Sequence, residues 1–235
     1  MDGANRLATM TQSANPVSAV VLAGGQSRRM GRDKALLRIG DQPLLVVVLK
    51  RLAFLSGDLI VAAGERGCYA EVLRSAPPTR CVNDPFPHAG PLSGIYAGLQ
   101  AAKHSHSIVV ACDMPYLNVA LLSWMIDQAG SYDAVVPQVM TKNDAMANRS
   151  EEAPLASGRA KDGGFHPLHA VYSKSCMAPM QAAFERQELR LGALLATLHV
   201  RPVTAAEVEI YDPHFLSLKN INTPEEYANL SRLDL

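Results

Sequence analysis

Residues 17–34 read VSAVVLAGGQSRRMGRDK, and this stretch decides the fold class of the chain. Its opening residues, Val17 to Ala23, are apolar and rich in valine, which predicts a short strand buried on both faces. Gly24 and Gly25 follow directly and end that strand in a turn. A strand of this kind favours a parallel sheet, because helices cover both faces of such a sheet.

Apolar stretches of strand length and of helix length alternate along the rest of the chain. The predicted strands cover residues 59–63, 80–83, 107–112, 134–137 and 165–172. The predicted helices cover residues 43–55, 92–103, 119–129, 177–186, 190–198 and 224–233, the last with a capping box from Thr223 to Glu226. The alternation predicts an α/β fold: a single doubly wound, mostly parallel sheet with helices on both faces and ligands at the carboxyl ends of its strands.

Two polar stretches interrupt this alternation. Residues 1–16 show no apolar periodicity, and we expect a disordered N-terminal arm before a domain formed by residues 17–235. Residues 139–164 carry many charged side chains and almost no aliphatic ones, which predicts a mobile surface loop or lid.

The composition limits the classes of function. Lysine plus arginine and aspartate plus glutamate both number 22, so no global field would hold the protein on nucleic acid or on an anionic membrane. The apolar runs are too short to span a bilayer, and we expect a soluble, cytoplasmic protein. The four cysteines have no CxxC spacing, which favours free, mostly buried thiols in a reducing compartment; they are Cys68, Cys81, Cys112 and Cys176.

The loop after the first strand indicates phosphate binding. Gly24 and Gly25 let a ligand approach the backbone, whose amides can form an anion-binding nest. Four cations lie within the next few residues: Arg28, Arg29, Arg32 and Lys34. The spacing matches neither GxxxxGK[ST] nor GxGxxG, so a different phosphate loop is indicated. A solvated glycine turn is the alternative, but so many cations at the end of a strand favour polyphosphate.

Two aspartates also follow predicted strands. Asp113 comes directly after the strand at residues 107–112, where a doubly wound sheet exposes its functional side chains. One carboxylate suits Mg²⁺, which completes its shell with phosphate oxygens and water; capping of the next helix is the alternative. Asp84 stands between Asn83 and Pro85 and is a second candidate, with an Asx turn as its alternative.

The string LAGGQSRRMGRDKALL at residues 22–37 resembles the signature loop of the molybdenum cofactor guanylyltransferases, which are MobA-like nucleotidyltransferases with a Rossmann-like fold. The resemblance implies that Lys34 lies near the α-phosphate of a bound nucleotide. It also implies that Leu22, Ala23 and Gly24 contact the guanine and the ribose. Gly25 and Arg29 would hold the triphosphate.

The same resemblance extends to later segments. The CDMP sequence at residues 112–115 is similar to the family's CDxP element and makes Asp113 the Mg²⁺ ligand, while Asp84 followed by GPLSG implies nucleotide binding. Four further positions resemble family positions near the acceptor or the phosphates, although structural roles are the alternative for each: His166, Arg190, Asn220 and Asn222. Where the family often has an asparagine after its second strand, this chain reads AAGE at residues 62–65.

The activity implied by the resemblance is Mg²⁺-dependent transfer of GMP from GTP to molybdopterin, with release of pyrophosphate. The expected partners are GTP, molybdopterin and transiently bound cofactor-synthesis or acceptor proteins, with no nucleic acid and no membrane. A transferase that uses CTP or a sugar phosphate remains an alternative, as does a module that binds GTP or the pterin without turnover.

Overall fold

The computed structural model describes residues 16–24, 33–64, 68–139, 163–223 and 226–227. A seven-stranded sheet forms the centre of this part of the chain, in the order β5-β4-β1-β6-β8-β7-β9. Its strands are β1 (Val17–Leu22), β4 (Asp58–Ala62), β5 (Thr79–Val82), β6 (His106–Ala111), β7 (Ala134–Gln138), β8 (His169–Ser173) and β9 (Val200–Thr204). A separate short hairpin joins β2 (Arg38–Ile39) to β3 (Gln42–Pro43).

Helices cover both faces of the sheet. On one face the apolar side chains of β1 that include Ala19 and Val21 pack with three helices, α1 (Leu44–Leu52), α4 (Val119–Asp127) and α7 (Ala205–Tyr211). On the other face Val20 packs with α3 (Pro91–Ala101), α5 (Met177–Glu185) and α6 (Leu191–Leu195). A four-residue helix, α2 (Ala70–Leu73), follows the chain segment after β4. The strand residues alternate between two buried layers, as a doubly wound sheet requires.

The fold class predicted from the sequence is confirmed. β8 alone runs antiparallel, against both β6 and β7, so the sheet is mostly parallel. The predicted strand at residues 165–172 begins only at His169, since Phe165 forms an isolated bridge and Pro167 lacks the N–H that a ladder needs. The predicted helix at residues 190–198 is limited to Leu191–Leu195.

The sequence predicted neither β9 nor the helix α7 after it, nor the short helix α2 and the β2–β3 hairpin. β9 contains Pro202, which is tolerated because this strand lies at the edge of the sheet and pairs only with β7. At residue 223 the predicted capping box is present: Thr223 N donates to Glu226 Oε2 at 3.1 Å, and Glu226 N donates to Thr223 Oγ1 at 3.1 Å. The rest of that predicted helix lies outside the described residues, as do residues 1–15 and 140–162.

The prediction of four free thiols is wrong for one pair. Cys68 and Cys81 form a disulfide with a Cα–Cα distance of 5.8 Å, whereas Cys112 and Cys176 are free and buried. The pairing arises from the sheet, because β5 lies beside β4 and brings Cys81 close to the segment that follows β4. Sequence spacing alone does not reveal such a neighbour. Among the described helices, none is long and apolar enough to cross a membrane.

Candidate active site

The candidate site lies where the direction of winding reverses. From β1 the chain moves to β4 and β5 on one side, then returns to place β6 on the other side of β1. The carboxyl ends of β1 and β6 are joined by a hydrogen bond from Cys112 N to Leu22 O at 3.0 Å. In open α/β sheets, ligands bind in the crevice at such a switch point.

Lys34 and Asp113 meet at this crevice. The Lys34 Nζ lies 2.7 Å from Asp113 Oδ2, although the two residues are 79 positions apart in the sequence. The side chains are largely buried, with 20% of Lys34 and 12% of Asp113 exposed. Lys34 opens a short 3-10 helix, Lys34–Leu36, which Asp33 caps by accepting a bond from Ala35 N at 3.0 Å. The structure thus brings together two residues that the sequence analysis selected independently.

A third segment, close to the carboxyl end of the chain, holds this pair. Asn220 Nδ2 donates to Asp113 Oδ1 at 2.7 Å, and Lys34 Nζ donates to Asn222 Oδ1 at 2.9 Å. The backbone between the two asparagines is fixed as well, because Ile221 N donates to Asp113 O at 2.9 Å. The side chains of both asparagines therefore bond to the Lys34–Asp113 pair. Their roles toward a substrate stay predictions.

Asp113 does not cap the helix that follows it. The N-cap of α4 is Asn118, whose side chain accepts a bond from Leu121 N at 2.9 Å. Both carboxylate oxygens of Asp113 instead face polar side chains at the crevice. The capping alternative for Asp113 is therefore wrong, and its role as a metal ligand stays a prediction.

The ends of β1 and β4 approach each other closely at two glycines. A Cβ on Gly24 would lie 2.8 Å from Gly64 Cα, and Gly64 has a positive φ of 62°. Contacts below 3 Å are not tolerated by real side chains, and positive φ is costly for residues with a Cβ. Glycine at both positions therefore lets the two backbones lie this close together.

Tyr69 is a site residue that the sequence analysis missed. Its hydroxyl lies 2.9 Å from Ala23 O and 3.0 Å from Asp33 Oδ2, so it connects the residue after β1 to the cap of the 3-10 helix. The residue lies 46 and 36 positions from these partners, and no local motif marks it. Only the tertiary contact reveals its position.

The other predicted nucleotide residues lie along the same edge. Leu22 ends β1 and its side chain packs against α3, where a Cβ on Gly94 would lie 3.1 Å from Leu22 Cδ2. The same Cβ would lie 3.5 Å from Asp84 Oδ1, which puts Asp84 beside the first turns of α3. Ala23 is buried and its N donates to Ala62 O at 2.8 Å. Their nucleotide contacts stay predictions, and Gly25 and Arg29 lie outside the described residues.

His166 and Arg190 lie apart from the Lys34–Asp113 pair. His166 Nε2 is 3.3 Å from Val139 O, and His166 N donates to Pro137 O at 2.8 Å, so this residue helps to close the end of β7. Arg190 is exposed and precedes α6, and the described contacts do not join it to Lys34 or Asp113. Roles for both residues toward an acceptor stay predictions.

The thiol of Cys112, next to Asp113, is poorly suited to act as a nucleophile. Burial raises the pKa of Cys112 far above its usual range, and the negative charges of Asp113 and Asp33 raise it further. A thiol in such surroundings stays protonated at neutral pH and is inert. The polar groups described at this crevice include the Lys34 ammonium, the Asp113 carboxylate and the side-chain amides of Asn220 and Asn222.

Comparisons with known proteins show a related family. The sequence model of the family described as "MobA-like NTP transferase domain" matches residues 19–202. A protein of Methanosarcina mazei named probable molybdenum cofactor guanylyltransferase is 32% identical over 220 residues, covering 91% of this chain and 89% of the relative.

Solved structures share the fold. The chain matches molybdopterin-guanine dinucleotide biosynthesis protein A from Archaeoglobus fulgidus with a TM-score of 0.69 and 21% identity, over 92% of this chain and 97% of that one. It also matches 4-diphosphocytidyl-2C-methyl-D-erythritol synthase from Anaerococcus prevotii with a TM-score of 0.61 and 13% identity, over 92% and 97% of the two chains.

Proposed function

The chain belongs to the MobA-like NTP transferase family, and we propose that it transfers GMP from GTP to molybdopterin, forming molybdenum guanine dinucleotide and releasing pyrophosphate. Nucleotidyl transfer is the activity of the family as a whole. The choice of GTP and molybdopterin is supported by the names of the relatives, since the Methanosarcina mazei protein is named as a molybdenum cofactor guanylyltransferase.

The observation that carries the proposal is the Lys34–Asp113 pair at the switch point of the sheet. The ammonium and the carboxylate lie 2.7 Å apart at the carboxyl ends of β1 and β6, where a nucleotide is expected. A purely binding site has no need of a cation and a metal-binding carboxylate at the same phosphate. A transferase needs both, because negative charge grows on the transferred phosphorus group.

The proposed reaction is a direct displacement. An oxygen of the terminal phosphate of molybdopterin forms a bond to the α-phosphorus of GTP as the bond to pyrophosphate breaks. The acceptor phosphate needs no dedicated base, since its second pKa is about 6 and it is largely ionised at neutral pH. Lys34 and Arg29 offset the developing charge, and the backbone amides of the Gly24–Gly25 loop orient the triphosphate, so positioning and electrostatics provide the rate enhancement.

The residues present fit a magnesium ion. Within the described residues no group of three His, Cys, Asp or Glu side chains forms a metal cluster. A single carboxylate is enough for Mg²⁺, which takes one or two carboxylates and otherwise phosphate oxygens and water. Asp113 would hold the ion; Asn220 Nδ2 donates to this carboxylate, and Asn222 Oδ1 accepts from Lys34 Nζ. When bound, Mg²⁺ would offset phosphate charge.

The test is pyrophosphate release with each nucleoside triphosphate in turn, with and without molybdopterin. We expect release that requires molybdopterin and strongly prefers GTP, because hydrogen bonds to the base edge reject mismatched bases. Equal rates with CTP would favour a cytidylyl or sugar-phosphate transferase. GTP binding without any pyrophosphate release would favour the non-catalytic binding module.

A variant of Asp113 tests the metal. Asp113→Asn keeps the shape of the side chain but provides a poorer Mg²⁺ ligand, so we expect turnover to be lost while GTP still binds. Steady-state rates over a Mg²⁺ titration measure this effect, with circular dichroism to verify the fold. Wild-type rates at saturating Mg²⁺ would remove Asp113 from metal binding.

The cellular setting is also part of the proposal. A cytoplasmic location fits an enzyme that uses GTP, and transient contacts with cofactor-synthesis or acceptor proteins would deliver its substrate and receive its product. Fractionation of cells and crosslinking of the intact protein test these two points.

A further inference from the structure

We propose that Tyr69 is a positioning residue for Lys34, and that the Cys68–Cys81 disulfide holds Tyr69 in place, so that turnover responds to a dithiol reductant. The inference rests on the proposed function, because nucleotidyl transfer is the activity that Lys34 would serve. It adds to that function a positioning residue and a redox-sensitive tether.

The tyrosine hydroxyl contacts both the end of β1 and the cap of the 3-10 helix. Tyr69 has one hydroxyl proton, shared between Ala23 O at 2.9 Å and Asp33 Oδ2 at 3.0 Å. Ala23 is fixed in the framework, since it is buried and its N bonds to Ala62 O at 2.8 Å. Tyr69 therefore ties Asp33 to the end of β1 through a bond to a charged acceptor, which is stronger than a neutral one.

Asp33 in turn fixes the backbone at Lys34. The other carboxylate oxygen of Asp33 caps the 3-10 helix by accepting from Ala35 N at 3.0 Å. Lys34 is the first residue of that helix, and its Nζ reaches Asp113 at 2.7 Å. A rotation of Asp33 would turn the start of the helix and move the ammonium from the carboxylate. Small displacements of this kind have large effects on positioned catalytic groups.

Tyr69 is held by partial packing and by a covalent link. It precedes α2, a helix of four residues with no fully buried side chain, and Tyr69, Val72 and Leu73 pack against the core only as partly buried side chains. The residue just before Tyr69 is Cys68, which is bonded to Cys81 in β5. β5 pairs with β4 in the sheet, with Cys81 beside Val61. The disulfide thus links the tyrosine covalently to the framework.

The tether is open to reduction. Cys68 is exposed and Cys81 is half-buried. A dithiol reductant attacks one sulfur through its thiolate, forms a mixed disulfide and then closes its own ring, giving two protein thiols and one oxidised dithiol. Two electrons and two protons pass to the protein. In a reducing compartment this bond is labile, which makes it suited to regulation.

The experiment compares Tyr69→Phe with Tyr132→Phe. Tyr132 is also partly buried but lies before β7, on the other side of the sheet from β5, and its ring packs at a tilt against His199. We expect Tyr69→Phe to lower kcat roughly tenfold, the lower end for a hydrogen bond to a charged group, with little change in the KM for GTP. Tyr132→Phe should retain the wild-type kcat. Equal kcat values for wild type and Tyr69→Phe would overturn the proposal.

The redox arm uses the same assay before and after treatment with dithiothreitol. Alkylation of the protein followed by intact-mass measurement confirms the state of Cys68 and Cys81. We expect reduction to lower kcat of the wild type several-fold, and by no more than Tyr69→Phe does. The Cys68→Ser/Cys81→Ser double variant should have the kcat of the reduced wild type, with or without the reductant. Reduction of Tyr69→Phe should lower its kcat little further, since both changes act on one chain of contacts. Full additivity would contradict the tether.

Hydrogen exchange separates this proposal from the proposed function. Reduction and Tyr69→Phe should both speed exchange at the Ala35 amide, whether or not the protein turns over GTP. Faster exchange without any turnover by the wild type would remove the proposed function and leave the tether. Normal turnover with unchanged exchange in every variant would remove the tether and leave the function.

Discussion

Two buried aspartates lie at opposite ends of the strands, which we call the two edges: Asp58 at the amino-terminal edge and Asp113 at the carboxyl-terminal edge. Their surroundings differ. Asp58 begins β4 and accepts bonds from Ser18 Oγ at 2.7 Å, Arg80 Nη2 at 2.6 Å and Lys103 N at 2.9 Å. Burial alone would raise the pKa of Asp58, but these hydrogen bonds outweigh it and lower the pKa. Asp113 follows β6, and the two described donors to its carboxylate are both side-chain groups, those of Lys34 and Asn220.

The difference separates a carboxylate with a structural role from the one that we propose to act in the reaction. A backbone amide and a strand hydroxyl fix Asp58, so a ligand could replace its partners only by disrupting the sheet. The described partners of the Asp113 carboxylate are side-chain groups of Lys34 and Asn220, which a bound phosphate could displace without breaking a hydrogen bond of the sheet. Buried charges whose partners are side-chain groups are therefore the ones to test for activity.

The largest effect is expected for Lys34→Ala. If the ammonium acts mainly in the transition state, kcat and kcat/KM should fall together by about 2.7–4 kcal/mol, the range for one preorganised stabilising group. Steady-state kinetics measures the effect, with circular dichroism to verify folding. Arginine should rescue only partly, since its planar group does not occupy the same point. A folded Lys34→Ala variant with near wild-type kcat would make Lys34 a binding residue only.

The reverse pattern is expected for Asp58→Asn. Removing the charge weakens three hydrogen bonds at a residue that is 4% exposed, so the free energy of unfolding should fall by roughly 2–3 kcal/mol. The kcat of the folded fraction should not change. Urea unfolding and activity assays on the same preparation test this. A loss of kcat without a loss of stability would end the distinction between the two edges.

A third buried group extends the comparison to pH. His169 is fully buried in β8, and burial, followed by the nearby His166 charge, lowers its pKa to about 3, against the opposing effect of Asp212. The unfolded imidazole binds a proton below about pH 6.5, so the unfolded state takes up more protons between pH 6.5 and 3. Stability is full above this window and should fall by about 2 kcal/mol by pH 5.

Unfolding in urea at pH 7.5 and pH 5 measures this loss, and His169→Leu is the control because it cannot titrate. The acid-induced loss between these two pH values should be much smaller in the variant. An identical loss in both proteins would assign it to other groups. Asp58 contributes at lower pH, since its lowered pKa means that its stabilisation disappears only below the usual carboxyl range.

The smallest effect is expected for Lys103→Ala, the counterpart of Lys34 at the other edge. The Lys103 side chain is 67% exposed, and its Nζ lies 4.0 Å from Asp58 Oδ1. Exposed ion pairs contribute little, so both stability and kcat should change by no more than about 0.5 kcal/mol. A large loss of activity would mean that charge at either edge matters equally.

Local patterns predicted the parts of the molecule that local patterns determine. The valine-rich β1, the apolar β6 and the aspartate at its end could be inferred because a buried strand and its carboxyl end are visible in a few adjacent residues. The antiparallel direction of β8 could not, since an apolar run has no direction. Tyr69 and the Cys68–Cys81 bond depend on contacts that exist only once the sheet has formed.

The hydrogen bond between Lys34 and Asn222 also has a consequence during synthesis of the protein. The two residues are 188 positions apart, so at about 5–20 residues per second the ribosome releases Asn222 roughly 9–38 s after Lys34. β1, β4, β5 and β6 can pair during that interval, but the asparagines that orient the ammonium and the carboxylate are still missing. A nascent chain would therefore have a framework able to fold before the Lys34–Asp113 pair has its asparagine partners.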